Sequence, residues 1–421
     1  MGGSQGVKDQ DDVLQDGVLQ DGVLQADSLK ADGLNEDCVE EGGIKDDGLN
    51  SGHGSNLATV IRRERPAKPL RRVGESMGFV REDEPDGQGG VVATRTYFLV
   101  GSECRFSCSM CDLWKYTLDD PVTPLGSLVA QIDALEQQCS SVQPQGFEGA
   151  SETGKEWLKL YNAANFFDER NVASLEREWI SERCAKYSRV IVENHAALFQ
   201  SKSVQQETLR FRDRLKGELE VALGLETIDP NAMKLLNKSM RLDQFEAAVD
   251  FLRREGIHSR AFVLLGPPGT EADEQKDWAL KACLQATHWG VGRSCVIPTR
   301  KGNGWTDLQF ANGGWVPPKA EDLEDVLDEL LLSRTIEPQS LPLTSVVRPV
   351  YTVDLWDWEL LTGPCTRPAL SEQATDRYSS SRYSSCEVSC RTVRKHRLEQ
   401  MNLLQDIIPR VNGGKCVCPE G

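Results

Sequence analysis

The hydrophobic pattern changes character along the chain. Over residues 1–55 an apolar residue returns at every fifth position: Leu14, Leu19, Leu24, Leu29, Leu34, then Val39, Ile44 and Leu49. Five matches neither the helical period of 3.6 nor the strand period of 2, so no face collects these side chains. Two places before each lie Asp12, Gly17, Gly22, Asp27, Asp32, Asp37, Gly42 and Asp47, and a pentapeptide solenoid would drive those aspartates inward. The expectation is a low-complexity disordered tail, with a short solenoid as the alternative. From residue 92 the pattern becomes short, near-continuous apolar runs: Thr96–Val100, Trp157–Asn162, Arg189–Glu193, Leu219–Leu225, Arg260–Leu265 and Arg293–Pro298. Such runs suit parallel strands covered on both faces. Amphipathic segments separate them. In Arg241–Gly256, Leu242, Phe245, Val249 and Leu252 share one helical face and Gly256 ends it. With a further helix expected over Ala320–Leu332, residues 92–335 read as an α/β domain of six β/α units.

Charge matters here only once it is located. The 421 residues carry a formal net charge of −17, and the tail accounts for −10 of it through 13 Asp/Glu against 3 Lys. The sign then reverses in a basic linker, residues 56–91. Its Val60–Val73 stretch holds six Arg/Lys, one Glu and two prolines, and reads either as a solvated linker or as an arm for RNA phosphates. No run of about 20 apolar residues exists, so no membrane-spanning helix is expected. The expectation is a cytoplasmic protein whose 13 cysteines are metal ligands or buried thiols before disulfides.

The first strand run leads directly into Gly101-Ser102-Glu103-Cys104-Arg105-Phe106-Ser107-Cys108-Ser109-Met110-Cys111. Three thiols at Cys-x3-Cys-x2-Cys spacing can converge on one soft metal centre. A three-cysteine zinc site and unrelated buried thiols are the competing readings. The motif resembles that of the radical S-adenosylmethionine (radical SAM) superfamily. The resemblance implies a partial (β/α)6 barrel over 92–335 and a 4Fe–4S cluster on Cys104, Cys108 and Cys111. In that family the iron without a thiolate chelates SAM, and SAM cleavage releases a 5′-deoxyadenosyl radical. Met110 departs from the aromatic that is common before the third cysteine. A cysteine loop after strand one agrees with the placement of chemistry at strand C-termini in parallel barrels.

Glu220–Thr227 followed by Ile228–Ser239 looks like the fourth-strand stretch of the Elongator catalytic subunit, the oxygen-independent coproporphyrinogen oxidases and the methylthiotransferases. There Glu226 matches a polar position contacting the SAM ribose or methionine; a surface acid beside a helix start is the plainer reading. Ala261–Glu271 resembles the fifth-strand segment, in which backbone groups around Leu265 and Gly266 hold adenine; read alone, Gly-Pro-Pro-Gly is a turn. Strand two ends without the family's Gly-Gly-Glu, leaving Asn162 and Asn165 as polar substitutes. Together with Glu193-Asn194-His195, these stretches look most like the archaeosine-biosynthesis radical SAM lyases, which act on tRNA. Glu193 is then a cofactor-side carboxylate, and His195 a proton donor or substrate ligand, or else a hydrogen-bonded structural residue. The implied partners are tRNA and an electron donor such as a ferredoxin or flavodoxin. A radical SAM enzyme acting on a small molecule or peptide, and a non-catalytic metal-containing RNA-binding protein, are the alternatives.

Residues 336–421 form a cysteine-rich extension. Cys386-x3-Cys390 and Cys416-x-Cys418 are candidate zinc ligands, with a second cluster or plain thiols as alternatives. Tyr351–Glu359 carries two tryptophans suited to a satellite core or a base-stacking surface. Arg391–Leu404 reads as a basic helix, facing phosphates or packed through Leu398, Met401 and Leu404.

Overall fold

All six apolar runs form strands of one sheet. The computed structural model describes residues 54–141, 155–334, 348–356, 358, 361 and 393–410. The five-residue repeat and Cys386, Cys390, Cys416 and Cys418 lie outside the described residues. The strands are β1 (Gly78–Pro85), β2 (Val91–Phe98), β3 (Glu156–Tyr161), β4 (Arg189–Glu193), β5 (Glu218–Glu226), β6 (His258–Leu265), β7 (Arg293–Pro298) and β8 (Val350–Val353). They neighbour one another in chain order. β1 and β2 form an antiparallel hairpin, and every later pair is parallel.

The expected six strands are β2 to β7, and two more flank them. β1 falls within the stretch read as a basic linker, which is corrected: residues 78–85 belong to the sheet. Its turn is fixed by Asp86, whose Oδ1 accepts from Gln88 N at 2.7 Å and Gly90 N at 2.9 Å. β8 falls within the stretch read as an irregular extension and pairs in register with β7. The two tryptophans beyond it part company. Trp358 is 2% exposed in the main core, while Trp356 stands exposed against Phe98, with ring centroids 5.2 Å apart.

The helices are α1 (Gly54–Arg63), α2 (Ser127–Ser141), α3 (Ser174–Arg183), α4 (Lys202–Arg214), α5 (Pro230–Leu236), α6 (Leu242–Arg254), α7 (Gln275–Trp289), α8 (Trp305–Ala311) and α9 (Ala320–Ser333). A last one, α10, spans 393–404. In α6, Phe245, Ala248, Val249 and Leu252 are buried. Gly256 ends it at φ +68, and Ile257 N returns to Leu252 O at 2.8 Å. α9 buries Leu323, Val326, Leu327, Leu330 and Leu331. α10 adds Leu398 and Met401 to the same core, but Leu404 is exposed. Its arginines turn to α9, Arg394 pairing with Glu321 and Glu324 and Arg397 with Asp328. Of the residues read as phosphate-facing, Arg394 and Arg397 are engaged within the protein, and Arg391 lies outside the described residues.

The sheet is strongly curled. Glu84 on β1 pairs with Arg260 on β6 at 2.6 Å, and Arg293 on β7 donates to Pro85 O at 2.7 Å. Five strand spacings in a flat sheet would separate β1 from β6 by about 24 Å. The inner face therefore closes on itself, and charged residues fill its floor. Lys159 pairs with Glu82 at 2.7 Å and also with Glu84. Glu220 receives Arg260 at 2.7 Å and Arg189 at 3.0 Å. Burial alone would raise the Glu220 carboxyl, but Arg260, Arg293 and Arg189 override it and hold it at about 2. Among these charges, Val92, Trp157, Ile191 and Ala222 form a small apolar cluster edged by Tyr161 and Phe262.

Candidate metal centre

The cysteine loop leaves β2 at the C-terminal edge of the sheet, and buried amides fix its entry. Gln131 of α2 accepts from Val100 N at 2.8 Å and donates to Val100 O at 2.9 Å. Asn171, fully buried, donates to Ser102 O at 3.0 Å and to Glu103 O at 3.2 Å. Farther along, the loop is held by segments from remote strands. Ser109 N donates to Leu236 O at 2.9 Å, Asn237 Nδ2 to Ser107 O at 2.7 Å, and Asn303 Nδ2 to Ser109 O at 2.7 Å. An 11-residue loop with this many fixed carbonyls holds its cysteines before any ligand arrives.

The basic segment from α1 onward lies across the outside of this loop. Arg62 Nε donates to Ser107 Oγ at 2.9 Å, and Arg65 pairs with Glu103 at 2.7 Å while covering Trp114. Lys68 pairs with Asp119 at 3.1 Å, and Arg71 donates to Lys115 O at 3.1 Å. These cations are engaged within the protein. Beside them a polar opening of about 360 Å³, lined by Arg62, Lys68, Arg105 and Arg170 among others, reaches Cys104.

Cys104, Cys108 and Cys111 are free thiols close enough to perturb one another. Burial pushes the Cys108 thiol up to about 12, and burial with the Cys108 neighbour pushes Cys111 well above its ordinary value. All three are protonated at neutral pH, so a metal binding here releases protons. Among the described residues, no three of His, Cys, Asp and Glu stand in the geometry of a single-ion site. A cluster with one thiolate on each of three irons needs its sulfurs farther apart than one ion does.

Several residues read from the sequence meet here. Asn165 bridges the loop to β4: its Nδ2 donates to Cys104 Sγ at 3.1 Å, and its Oδ1 accepts from His195 N at 2.8 Å. Asn162 is fully buried with neither side-chain atom partnered, a costly arrangement that a bound polar group would relieve. Glu193 ends β4 on the inner face; its carbonyl accepts from Phe166 N at 2.9 Å, but its carboxylate has no hydrogen-bond or ion-pair partner among the described residues. Burial raises its carboxyl to about 8.

Other residues are already engaged. His195 Nδ1 accepts from Ala197 N at 3.2 Å, and Nε2 faces Lys238 O at 2.9 Å, which fixes the proton on Nε2. Burial, aided by the Lys238 ammonium, lowers the imidazole to about 3, and Phe106 stacks on it at 3.8 Å. Both ring nitrogens of His195 are thus engaged within the protein. Glu226 sits at φ +68 beyond a bulge in β5 and pairs with Lys238 at 2.7 Å rather than standing open. Leu265 O accepts from Thr299 N at 3.0 Å and Gly266 O from Trp315 Nε1 at 2.8 Å, so both carbonyls are occupied.

Sequence reasoning missed Lys238, Gln131, Asn171 and Asn303. Only Lys238 had a local signal: it follows Asn237, the left-handed cap of α5.

No family model matches the sequence, and no curated protein matches it. Among solved structures, the chain is similar to the archaeal Methanocaldococcus infernus Elp3 with an N-terminal deletion (14% identity, TM-score 0.37, covering 53% of this chain and 55% of that one). It is similar to coproporphyrinogen III oxidase (HemN) from Escherichia coli, itself a radical SAM enzyme (13%, TM-score 0.35, 56% and 51%). It is also similar to the radical SAM methyltransferase TsrM from Kitasatospora setae with cobalamin and a [4Fe-4S] cluster bound (16%, TM-score 0.33, 47% and 35%). The chain spans about half the length of the first two and about a third of the last. These likenesses are too remote to carry an argument.

Proposed function

We propose that this chain is a radical SAM enzyme. One observation supports the reading above the rest: Cys104, Cys108 and Cys111 sit on a braced loop at the C-terminal edge of a curled parallel sheet, where such barrels perform chemistry. The donor set fits the group: three soft thiols, with buried Asn162 left unpartnered just past β3, the strand paired with β2. Cys104, Cys108 and Cys111 would hold a 4Fe–4S cluster. Asn162 and Glu193 would offer polar contacts to SAM. When bound, the pair supplies a one-electron cleavage of SAM that yields an adenosyl radical. Around it, Asn165 orients Cys104, and the arm and Trp114 shield the loop from bulk water. Glu193, neutral at pH 7, is a proton donor rather than an anion toward whatever occupies the inner face. The electron would come from a low-potential donor of the ferredoxin or flavodoxin class.

The test is anaerobic reconstitution with iron and sulfide. The expected result is a reducible 4Fe–4S spectrum and 5′-deoxyadenosine from SAM, both lost in Cys104→Ala, Cys108→Ala and Cys111→Ala. Cleavage surviving in all three variants sinks the proposal.

For the substrate, a tRNA base remains the reading drawn from the resemblance. A small molecule or peptide is the second reading, favoured by one observation: the arginines of both basic segments are largely engaged within the protein. Comparing modified nucleosides in RNA from cells with and without the gene separates the two.

A further inference from the structure

Lys238, two residues past α5, buries its ammonium against Glu226 at the end of β5. Burying an ammonium costs several kcal/mol unless it is paired, and the chain departs from ordinary backbone geometry to pair it. β5 shifts register between Gly224 and Glu226, and Glu226 adopts φ +68, a strained region for a residue with a Cβ. Gly224 has no side chain, and a Cβ there would collide with both the Glu226 carboxylate and the Lys238 ammonium. The resulting pair is 2.7 Å long and almost fully buried on both sides. The same short segment touches the cysteine loop twice more, through Leu236 O and Asn237 Nδ2, and Lys238 O holds His195. The ammonium and the carboxylate therefore stand at fixed places within electrostatic range of Cys108, and the ammonium also of Cys104.

We propose that Lys238 and Glu226 form a fixed charge pair that sets the reduction potential of a cluster held by Cys104, Cys108 and Cys111, Lys238 raising it and Glu226 opposing. Net charge near the sulfurs and burial are among the levers that tune such clusters. An added electron makes the cluster more negative, so a nearby ammonium favours the reduced form and a nearby carboxylate disfavours it. Both are positioning residues that act through the cluster. The inference rests on the radical SAM reading for the presence of a cluster, and on the geometry of β5 and residues 236–238 for the tuning.

The test uses the full-length reconstituted protein without SAM, titrated against redox dyes and followed by the spin-resonance signal of the reduced cluster. Lys238→Met is expected to cut the reduced-to-oxidised ratio at fixed poise about tenfold, a shift of about 59 mV downward for one electron. Glu226→Gln, which keeps a hydrogen bond to Lys238, is expected to shift the potential the opposite way. Lys238→Arg restores the wild-type value, and exposed Lys216→Met leaves it unmoved. A merely structural role predicts no opposite signs. If Lys238→Met fails to hold iron, the sign of the Glu226→Gln shift decides. Wild-type potential in Glu226→Gln, or shifts of the same sign in both variants, overturns the inference while leaving the radical SAM reading intact. A wild-type protein that takes up no cluster overturns both.

Discussion

At the scale of single residues, what could be read from the sequence was what lies close together in it. Three cysteines within eight positions announce themselves, and the structure seats them on one loop. Asn165 was found through a resemblance, but its link to Cys104 spans 61 positions and has no local trace. Lys238 lies 130 positions from Cys108, and its one local signal, the left-handed cap at Asn237, says nothing of where its ammonium goes. Glu193 shows what burial does to an acid whose partners are missing. Its carboxyl stays protonated to about pH 8 in the fold, against about 4.3 in an unfolded chain. Below pH 4.3 both states are protonated and Glu193 is neutral to stability. Between about 4.3 and 8 only the unfolded chain ionises, so stability falls as pH rises. Glu193→Gln should match the parent at pH 4 and exceed it by about 2–5 kcal/mol at pH 9, read from urea melts at the two pH values. Equal stability at pH 9 would place the carboxylate in water.

Elements with an apolar signature were legible, and those without one were not. β2 to β7 carry apolar runs because helices cover one face and the inner face mixes apolar side chains with paired charges. β1 reads Gly-Phe-Val-Arg-Glu-Asp-Glu-Pro, which composition alone assigns to solvent. Its acids instead point into the curl, Glu82 toward Lys159 and Glu84 toward Arg260. The overlooked signal was the turn: Asp86-Gly87-Gln88-Gly89-Gly90 between two β-capable stretches marks a hairpin. β8 was missed because four residues among Ser-, Pro- and Trp-rich sequence give too short a pattern. Removing the partner of a buried guanidinium is more damaging than removing the pair. Glu84→Ala, which takes from Arg260 its bidentate partner and leaves it only Glu220, is therefore expected to cost up to about 3 kcal/mol. It should also speed amide exchange in β1 more than in β4, and uniform exchange would show that Glu84 does not hold β1 in place.

For the whole molecule, the net charge proves a poor guide to where charge acts. More than half of −17 lies in the repeat, while the working charges are the buried ones that close the sheet. Their pH dependence follows from sign. Burial would raise Glu84, and Arg260 and Lys159 override it, holding it well below its ordinary value; Glu220 is held at about 2. The stability they lend is complete above about pH 4.3 and is lost as pH falls through their folded values. Stability should therefore decline between about pH 4.5 and 2, by about 3 kcal/mol for Glu220 alone. The decline should respond only weakly to salt, because buried pairs are poorly screened. A decline that 0.5 M salt abolishes would assign it to surface charges instead.

The contact between Glu84 and Arg260 also imposes an order on synthesis. The two residues are 176 positions apart, and the ribosome releases the chain from its N-terminus at about 5–20 residues per second. The β1–β2 hairpin is complete before either cationic partner emerges: Lys159, for Glu82 and Glu84, comes 77 positions after Glu82, and Arg260 comes later still. For about 10–30 s Glu84 lacks its guanidinium. That two-stranded piece carries its own acidic charge, and like charge discourages nascent copies from pairing edge to edge. The carboxylates that draw the curled sheet together would thus also keep its hairpin from self-pairing before Arg260 arrives.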